Sequence, residues 1–234
     1  MSPEPSPSQR RYRAVIFDLD GVLVDSEPIH FEALNEILSQ EGITLTEEEN
    51  QEFLALPANE VWGRLAGRYA LRGQVEEYLQ RYEKEVMHAF QKPLKSPPFL
   101  PDLLHTLQSK GIALAVASSS RREWIEKILT TLNLREYFAV IVSSDDVQRG
   151  KPDPEVYLSA AQRLGIHPQE CLAVEDAPNG VLSAKRAGMD VAVVQAFSPH
   201  SGPIPQADFT VGSLLDILAL VTPSQELPPA SGGR

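Results

Sequence analysis

The chain has 234 residues, 42% hydrophobic and 23% charged, with a formal net charge of −11. That length allows a large core and one or two domains. The acidic balance opposes nucleic acid and anionic membranes, because no Lys/Arg run is longer than a pair, and the pairs Arg10-Arg11 and Arg121-Arg122 read as solvated surface. A single cysteine, Cys171, excludes an intrachain disulfide, and its apolar neighbours mark it as a core thiol in a reducing, cytoplasmic setting. The Ser/Pro-rich start has no signal-peptide core, nothing approaches transmembrane length, and residues 1–11 and 223–234 read as disordered tails.

The first element is the apolar run Ala14-Val15-Ile16-Phe17, short and β-branched enough for the middle of a parallel sheet covered on both faces. Asp18 and Asp20 come directly after it. Two like charges so close repel unless a cation or a proton is shared between them. A bare D-x-D also suits an acidic turn, and the groups at the ends of the later strands decide between the two. From about Glu27 to Gln91 the pattern is helical. Phe31, Leu34, Ile37 and Leu38 recur at helical spacing, as do Val61, Leu65, Ala66 and Tyr69, and a further helix spans about Val75 to Phe90. Trp62 and Tyr69 are assigned to the core of this region. After the Pro-rich stretch Pro93 to Pro101, helices and short apolar strands alternate. A helix runs to Lys110, a strand spans Ala113 to Ala117, a helix Glu123 to Leu132 and a strand Ala139 to Val142. Then come a helix Glu155 to Leu164, a strand Leu172 to Val174, a helix Gly180 to Ala187, a strand Val191 to Val194 and a strand-helix pair near Phe209 to Leu218. This alternation predicts a doubly wound α/β fold, a Rossmann-like parallel sheet.

The first two strands lie far further apart than one βαβ unit requires. The excess predicts a helical domain, residues 27–96, inserted into a discontinuous core of residues 12–26 and 97–222 and hung as a lid over the strand ends. Ligands of such sheets bind at the carboxyl ends of the strands, and each later strand is followed by a chemically useful group. Ser118-Ser119-Ser120 offers hydroxyls and N–H groups at a helix start, a phosphate cradle or simply an N-cap. Lys151 stands in Gly150-Lys151-Pro152-Asp153-Pro154, where the prolines either stiffen a functional lysine or mark a helix start. Glu175-Asp176 precedes Pro178-Asn179-Gly180 and fits a site or a capped helix equally. Together, however, Asp18, Asp176 and Glu175, with the Asp20 carbonyl, make an oxygen-rich set suited to Mg²⁺, while Ser118 and Lys151 can hold phosphoryl oxygens.

These four segments resemble the motifs of the haloacid dehalogenase superfamily of phosphotransferases, in the subgroup with a helical cap after the first motif that includes β-phosphoglucomutase and phosphoglycolate phosphatase. The likeness covers about Tyr12 to Val221. It implies Asp18 as nucleophile, forming an aspartyl-phosphate, and Asp20 as general acid and then base. Ser118, Ser119 and Lys151 would hold the phosphoryl group, with Asn179 also toward the phosphate. Mg²⁺ would sit on Asp18, Asp20 through its carbonyl, and Asp176, supported by Glu175. His30 falls where several relatives keep a histidine on the first cap helix, and contacts substrate or is an ordinary helix residue; His88, His105, His167 and His200 have no motif context and are read as surface.

The resemblance implies a phosphatase of small phosphorylated metabolites, sugar phosphates first, with a β-phosphoglucomutase-type mutase as the alternative. The stretch Leu54-Ala55-Leu56-Pro57-Ala58-Asn59-Glu60 has alanine where a mutase of this group carries an arginine, although Arg64 or Lys92 could substitute. Asp20 disfavours dehalogenases and phosphonate hydrolases, and a non-catalytic phosphate-binding protein would be expected to have lost a motif residue. The implied partner is a small phosphate ester, with no nucleic acid or membrane, and a monomer is the simpler state, a dimer being compatible.

Overall fold

The computed structural model describes residues 12–54, 56–197 and 204–221. The expected tails, Arg10-Arg11, Ala55 and His200 lie outside them. The first strand, β1 (Ala14–Phe17), is followed by four helices, α1 (Glu27–Ser39), α2 (Glu47–Asn50), α3 (Ala58–Tyr69) and α4 (Val75–Ala89). The chain then alternates through α5 (Leu100–Ser109), β2 (Ala113–Ala117), α6 (Arg122–Thr131), β3 (Val140–Val142), α7 (Glu155–Leu164), β4 (Cys171–Glu175), α8 (Pro178–Arg186), β5 (Asp190–Val194), β6 (Phe209–Val211) and α9 (Ile217–Val221). The six strands form one parallel sheet in the order β3-β2-β1-β4-β5-β6. The fold is the expected α/β Rossmann-like one, and its order reverses at β1, the switch point where such sheets bind ligands.

Strand alternation divides the core. Val15 and Phe17 join Leu114, Val116, Leu172 and Val174 on one face, under α5, α6 and α9. Ala14 and Ile16 join Ala115, Ala117, Cys171 and Ala173 on the other, under α7 and α8. A sheet buried on both faces explains why its strands are continuous apolar runs rather than alternating ones. Cys171 is buried in that second layer, and burial pushes its thiol up to about 12, so it is a core residue as its neighbours suggested.

Helices α1, α3 and α4 add their own apolar faces to the first layer, including Leu34, Ile37, Leu38, Trp62, Leu65, Tyr78 and Tyr82. Trp62 stacks on Tyr78 with ring centres 5.2 Å apart. The chain crosses into and out of this region side by side, the Asp25 N–H donating to the Lys95 carbonyl at 2.8 Å. No helix among the described residues is long and apolar enough to cross a membrane.

The Arg121-Arg122 pair lies at the surface as expected, its side chains 46% and 37% exposed, and both side chains carry ion pairs there. Arg121 pairs with Glu83 of α4 at 2.5 Å. Arg122 donates to the Ile141 carbonyl at 2.8 Å and to Asp146 at 2.5 Å, and Asp146 also accepts from Arg163 and from the Ser143 N–H and hydroxyl. Asp146 thus fastens the end of β3 to α6 and α7. Burial opposes its charge, but the bonds from Ser143, Arg122 and Arg163 outweigh it and hold the carboxyl well below the usual range. A depressed carboxyl stabilises the fold fully above its unfolded value of about 4 and ceases to as pH falls through the folded one. Asp146→Asn should therefore lower the thermal midpoint by about 2–4 °C at pH 7. The two midpoints should converge as the pH is taken well below 4, as calorimetry across a pH series would register.

Candidate active site

Strand pairing assembles the centre. Phe17 lies beside Val174 in register, and the Asp18 N–H continues the ladder to the Val174 carbonyl at 2.9 Å, so Asp18 emerges next to Glu175. The loop after β3 brings in Lys151, whose bond to Pro152 is cis. Its ammonium donates to Asp18 Oδ1 at 2.8 Å and to Glu175 Oε1 at 2.7 Å. The three side chains of Lys151, Asp18 and Glu175 are only 7%, 12% and 1% exposed, so this is a buried ion pair whose separation would strand a charge. Desolvation alone would lower the lysine pKa; the two carboxylates outweigh it and hold the ammonium protonated.

Asp176 completes an acidic group. One ligand oxygen from each of Asp18, Glu175 and Asp176 lies within 4.8 Å of the others. Burial first, with Lys151 opposing and neighbouring carboxylates adding, raises Asp18 to about 7. Burial together with Asp18 and Glu175 raises Asp176 to about 8. Three hard oxygen donors gathered in one place, two of them carboxyls that are hard to keep ionised without a counter-charge, form a donor set that fits a divalent cation. Gly21 leaves room for it to form, since at φ +78 a Cβ there would fall 2.0 Å from Asp176 Oδ2.

Asp20 faces the same space from a tight turn in which Gly21 N–H donates to the Val24 carbonyl. Its Oδ1 accepts from Ser26 Oγ at 2.5 Å, its Oδ2 from Ser120 Oγ at 2.7 Å, and Ser118 Oγ lies 3.5 Å from Oδ2. Ser118 is buried and accepts from the Ser120 N–H, whereas Ser119 is exposed with no side-chain bond among the described residues. The Ser118 and Ser120 hydroxyls thus face Asp20, and the Ser119 side chain does not. Residues two apart leaving a strand face one side, and the residue between them faces the other. Asn179 is likewise not brought in: it sits exposed on the first turn of α8.

His30 lies on α1 with its Nδ1 2.7 Å from the Tyr82 hydroxyl and its ring 5.8 Å from that of Trp124 on α6. Burial lowers its pKa, with Asp20 opposing. His88, His105 and His167 are exposed, as expected. Sequence reasoning missed Tyr157, whose hydroxyl donates to Glu175 Oε1 at 2.5 Å and whose ring lies 5.1 Å from the Lys151 ammonium. By pattern it is one more apolar position of an amphipathic helix.

The family model for haloacid dehalogenase-like hydrolases matches residues 15–194, which include every one of these groups. This chain belongs to that family. The hydrolase is 38% identical over 178 residues to the phosphorylated carbohydrates phosphatase of Thermotoga maritima, covering 76% of this chain and 82% of that protein. It is 32% identical over 213 residues to the β-phosphoglucomutase of Bacillus subtilis, covering 88% and 91%. Its fold superposes on CbbY from Rhodobacter sphaeroides, solved in complex with phosphate, with a TM-score of 0.78 and 26% identity over 90% of this chain and 99% of the other. The hydrolase is an enzyme of the phosphatase type found among these relatives.

A Cβ on Gly180 would lie 1.9 Å from Glu175 Oε1, the oxygen that holds both Lys151 and Tyr157. Gly180→Ala should therefore displace Glu175, cost about 1–3 kcal/mol of stability by overpacking, and cut hydrolysis through the loosened lysine. Thermal unfolding and turnover measured on the same preparation would show both losses.

Proposed function

We propose that this hydrolase is a cytoplasmic, Mg²⁺-dependent phosphatase of small phosphorylated metabolites, sugar phosphates foremost, working through an aspartyl-phosphate. The observation that carries the reading is the convergence of Asp18, Lys151, Glu175 and Asp176 beside Asp20 at the switch point of the sheet. In the first step a carboxylate oxygen of Asp18 attacks phosphorus. The bond to the leaving oxygen breaks with its electron pair, and Asp20 gives that oxygen a proton. In the second, Asp20 takes a proton from a water that attacks the same phosphorus, which frees Asp18 and reprotonates Asp20.

Lys151 and Ser118 hold phosphoryl oxygens, in a reaction where positioning and charge neutralisation carry most of the catalysis. Glu175 braces Lys151 by accepting from its ammonium and is itself fixed by the Tyr157 hydroxyl, which donates to the same oxygen. A Mg²⁺ held by Asp18, Asp176 and the Asp20 carbonyl, with Glu175 in the same cluster, would neutralise charge on the phosphoryl group. Residues 27–96 act as the lid of a core formed by 12–26 and 97–222, and a single buried cysteine suits a reducing compartment.

Hydrolysis is preferred to mutase transfer because the insertion offers no buried cation for a second phosphate among its described residues. Arg64 and Lys92 are each about half exposed and paired with Glu60 and Glu32. Asp18→Asn should reduce phosphate release from a panel of sugar phosphates by at least about a thousandfold. Chelation should abolish release by the unmutated enzyme and Mg²⁺ should restore it. Undiminished turnover by Asp18→Asn would remove the nucleophile, and conversion of a hexose 1-phosphate to a 6-phosphate without release would move the enzyme to the mutases.

A further inference from the structure

We infer that Ser183 and Arg186 of α8 are positioning residues for Lys151: they hold the main chain immediately after the lysine and so set where its ammonium sits between Asp18 and Glu175. The inference rests on the phosphatase reading above, in which Lys151 holds the phosphoryl group, and adds the elements that fix the lysine from outside the site.

The stretch that carries Lys151 is first shaped by its own residues. The Glu155 carboxylate, at the start of α7, accepts from the Gln148 N–H at 3.0 Å and the Arg149 N–H at 3.1 Å. Asp153 accepts from the Glu155 N–H at 3.1 Å, and the Asp153 N–H donates to the Gly150 carbonyl at 3.0 Å. All of these bonds join residues within 148–155. Two bonds from α8 tie the stretch to a separate element. Ser183 Oγ donates to the Asp153 carbonyl at 2.5 Å, and the Arg186 guanidinium to the Pro152 carbonyl at 2.9 Å. Residues three apart share a helix face, and these two reach the first and second carbonyls after Lys151.

Helix α8 is well placed to do this. It starts at Pro178, just after the acid pair Glu175-Asp176 that ends β4 and follows it. One stiff element therefore runs on from the acids and returns to hold the lysine loop. The Lys151 ammonium, 2.7 Å from Glu175 Oε1 and 2.8 Å from Asp18 Oδ1, is positioned from both ends, by its carboxylates and by its own backbone.

An ordinary helix residue would not look like Ser183. The side chain is fully buried, on a helix whose other buried positions are Gly180, Val181 and Ala184. Alanine there would favour the helix more and bury no polar atom. A serine inside a helix commonly bonds the carbonyl four residues back, whereas this one reaches a carbonyl 30 residues away in the chain. Arg186 is exposed, yet it too spends a donor on the lysine loop. In phosphoryl transfer, where positioning and charge neutralisation carry the catalysis, misplacing the ammonium by about 1 Å costs up to about a hundredfold.

The test measures kcat, KM and inhibition by inorganic phosphate in the unmutated enzyme, Ser183→Ala, Arg186→Ala and Arg186→Lys, well below the thermal midpoint of each. A sugar phosphate and p-nitrophenyl phosphate serve as substrates. Ser183→Ala should lower kcat about tenfold or more for both esters alike, because the lysine acts on the phosphoryl group they share, and should weaken phosphate inhibition about as much. Arg186→Ala should lose about threefold, its bond being open to water, and Arg186→Lys, which keeps a donor, should recover most of it. Values within about twofold of the unmutated enzyme in folded Ser183→Ala, a fall in thermal midpoint alone, or a loss confined to one ester would overturn the inference. If Ser183→Ala does not fold, the Arg186 variants decide, and an Arg186→Ala without loss, or a loss that lysine does not recover, counts against it. If the unmutated enzyme hydrolyses neither ester, the phosphatase reading falls by itself. Amide hydrogen exchange at Asp153, expected to quicken about tenfold in Ser183→Ala, then tests the hold on the loop, and unchanged exchange removes it.

Discussion

The site depends on one buried ammonium shared by two carboxylates. Lys151 lies between Asp18 and Glu175, and all three are shielded from water. Removing a charge from water is costly unless a partner of opposite sign is held in good geometry, so the surroundings are arranged to keep these partners in place. Parallel pairing of β1 with β4 sets the two acids side by side. Tyr157 donates to the oxygen of Glu175 that also receives the lysine. Gly180 leaves the space that Glu175 occupies, and Gly21 the space for Asp176. Each is a local choice of residue that makes sense only once the ion pair is fixed.

The same constraint explains what could be read from the chain. The strands announce themselves because a sheet covered on both faces must be apolar throughout, and a motif at the end of each then falls on one edge by topology alone. Asp18, Lys151, Glu175 and Asp176 were legible for that reason. Ser120 was passed over within a serine run, where alternation after the strand turns its hydroxyl, with that of Ser118, toward Asp20. Asn179 reads like a ligand because it comes after the acids, yet its place on the first turn of α8 leaves it in solvent. Tyr157 and the Glu27–Asn50 bond could not be found, because each joins elements whose relative placement is set by tertiary packing rather than by spacing along the chain.

Helices α1 and α4 are fastened to α6 and its N-cap. His30, Tyr82 and Phe90 gather round Trp124 of α6, Arg121 pairs with Glu83, and the two crossings meet at Asp25 and Lys95. Asp20 belongs to both parts, since its carboxylate accepts from Ser26 at the entry to the insertion and from Ser120 on the core. The orientation of this carboxyl is therefore coupled to how the helices sit over the sheet.

Charge sets the final requirement. Asp18, Asp20, Glu175 and Asp176 converge against a single lysine, in a protein whose net charge is already −11. An anionic phosphate ester entering such a place meets repulsion that one ammonium, already shared by two acids, does not remove. The donor set that creates the problem also supplies its remedy, because clustered carboxylate oxygens are what a small hard dication binds. Acid residues that would by themselves exclude an anionic ester would thus become the means of holding it once a dication neutralised them, which is the balance that the proposed phosphatase reaction calls for.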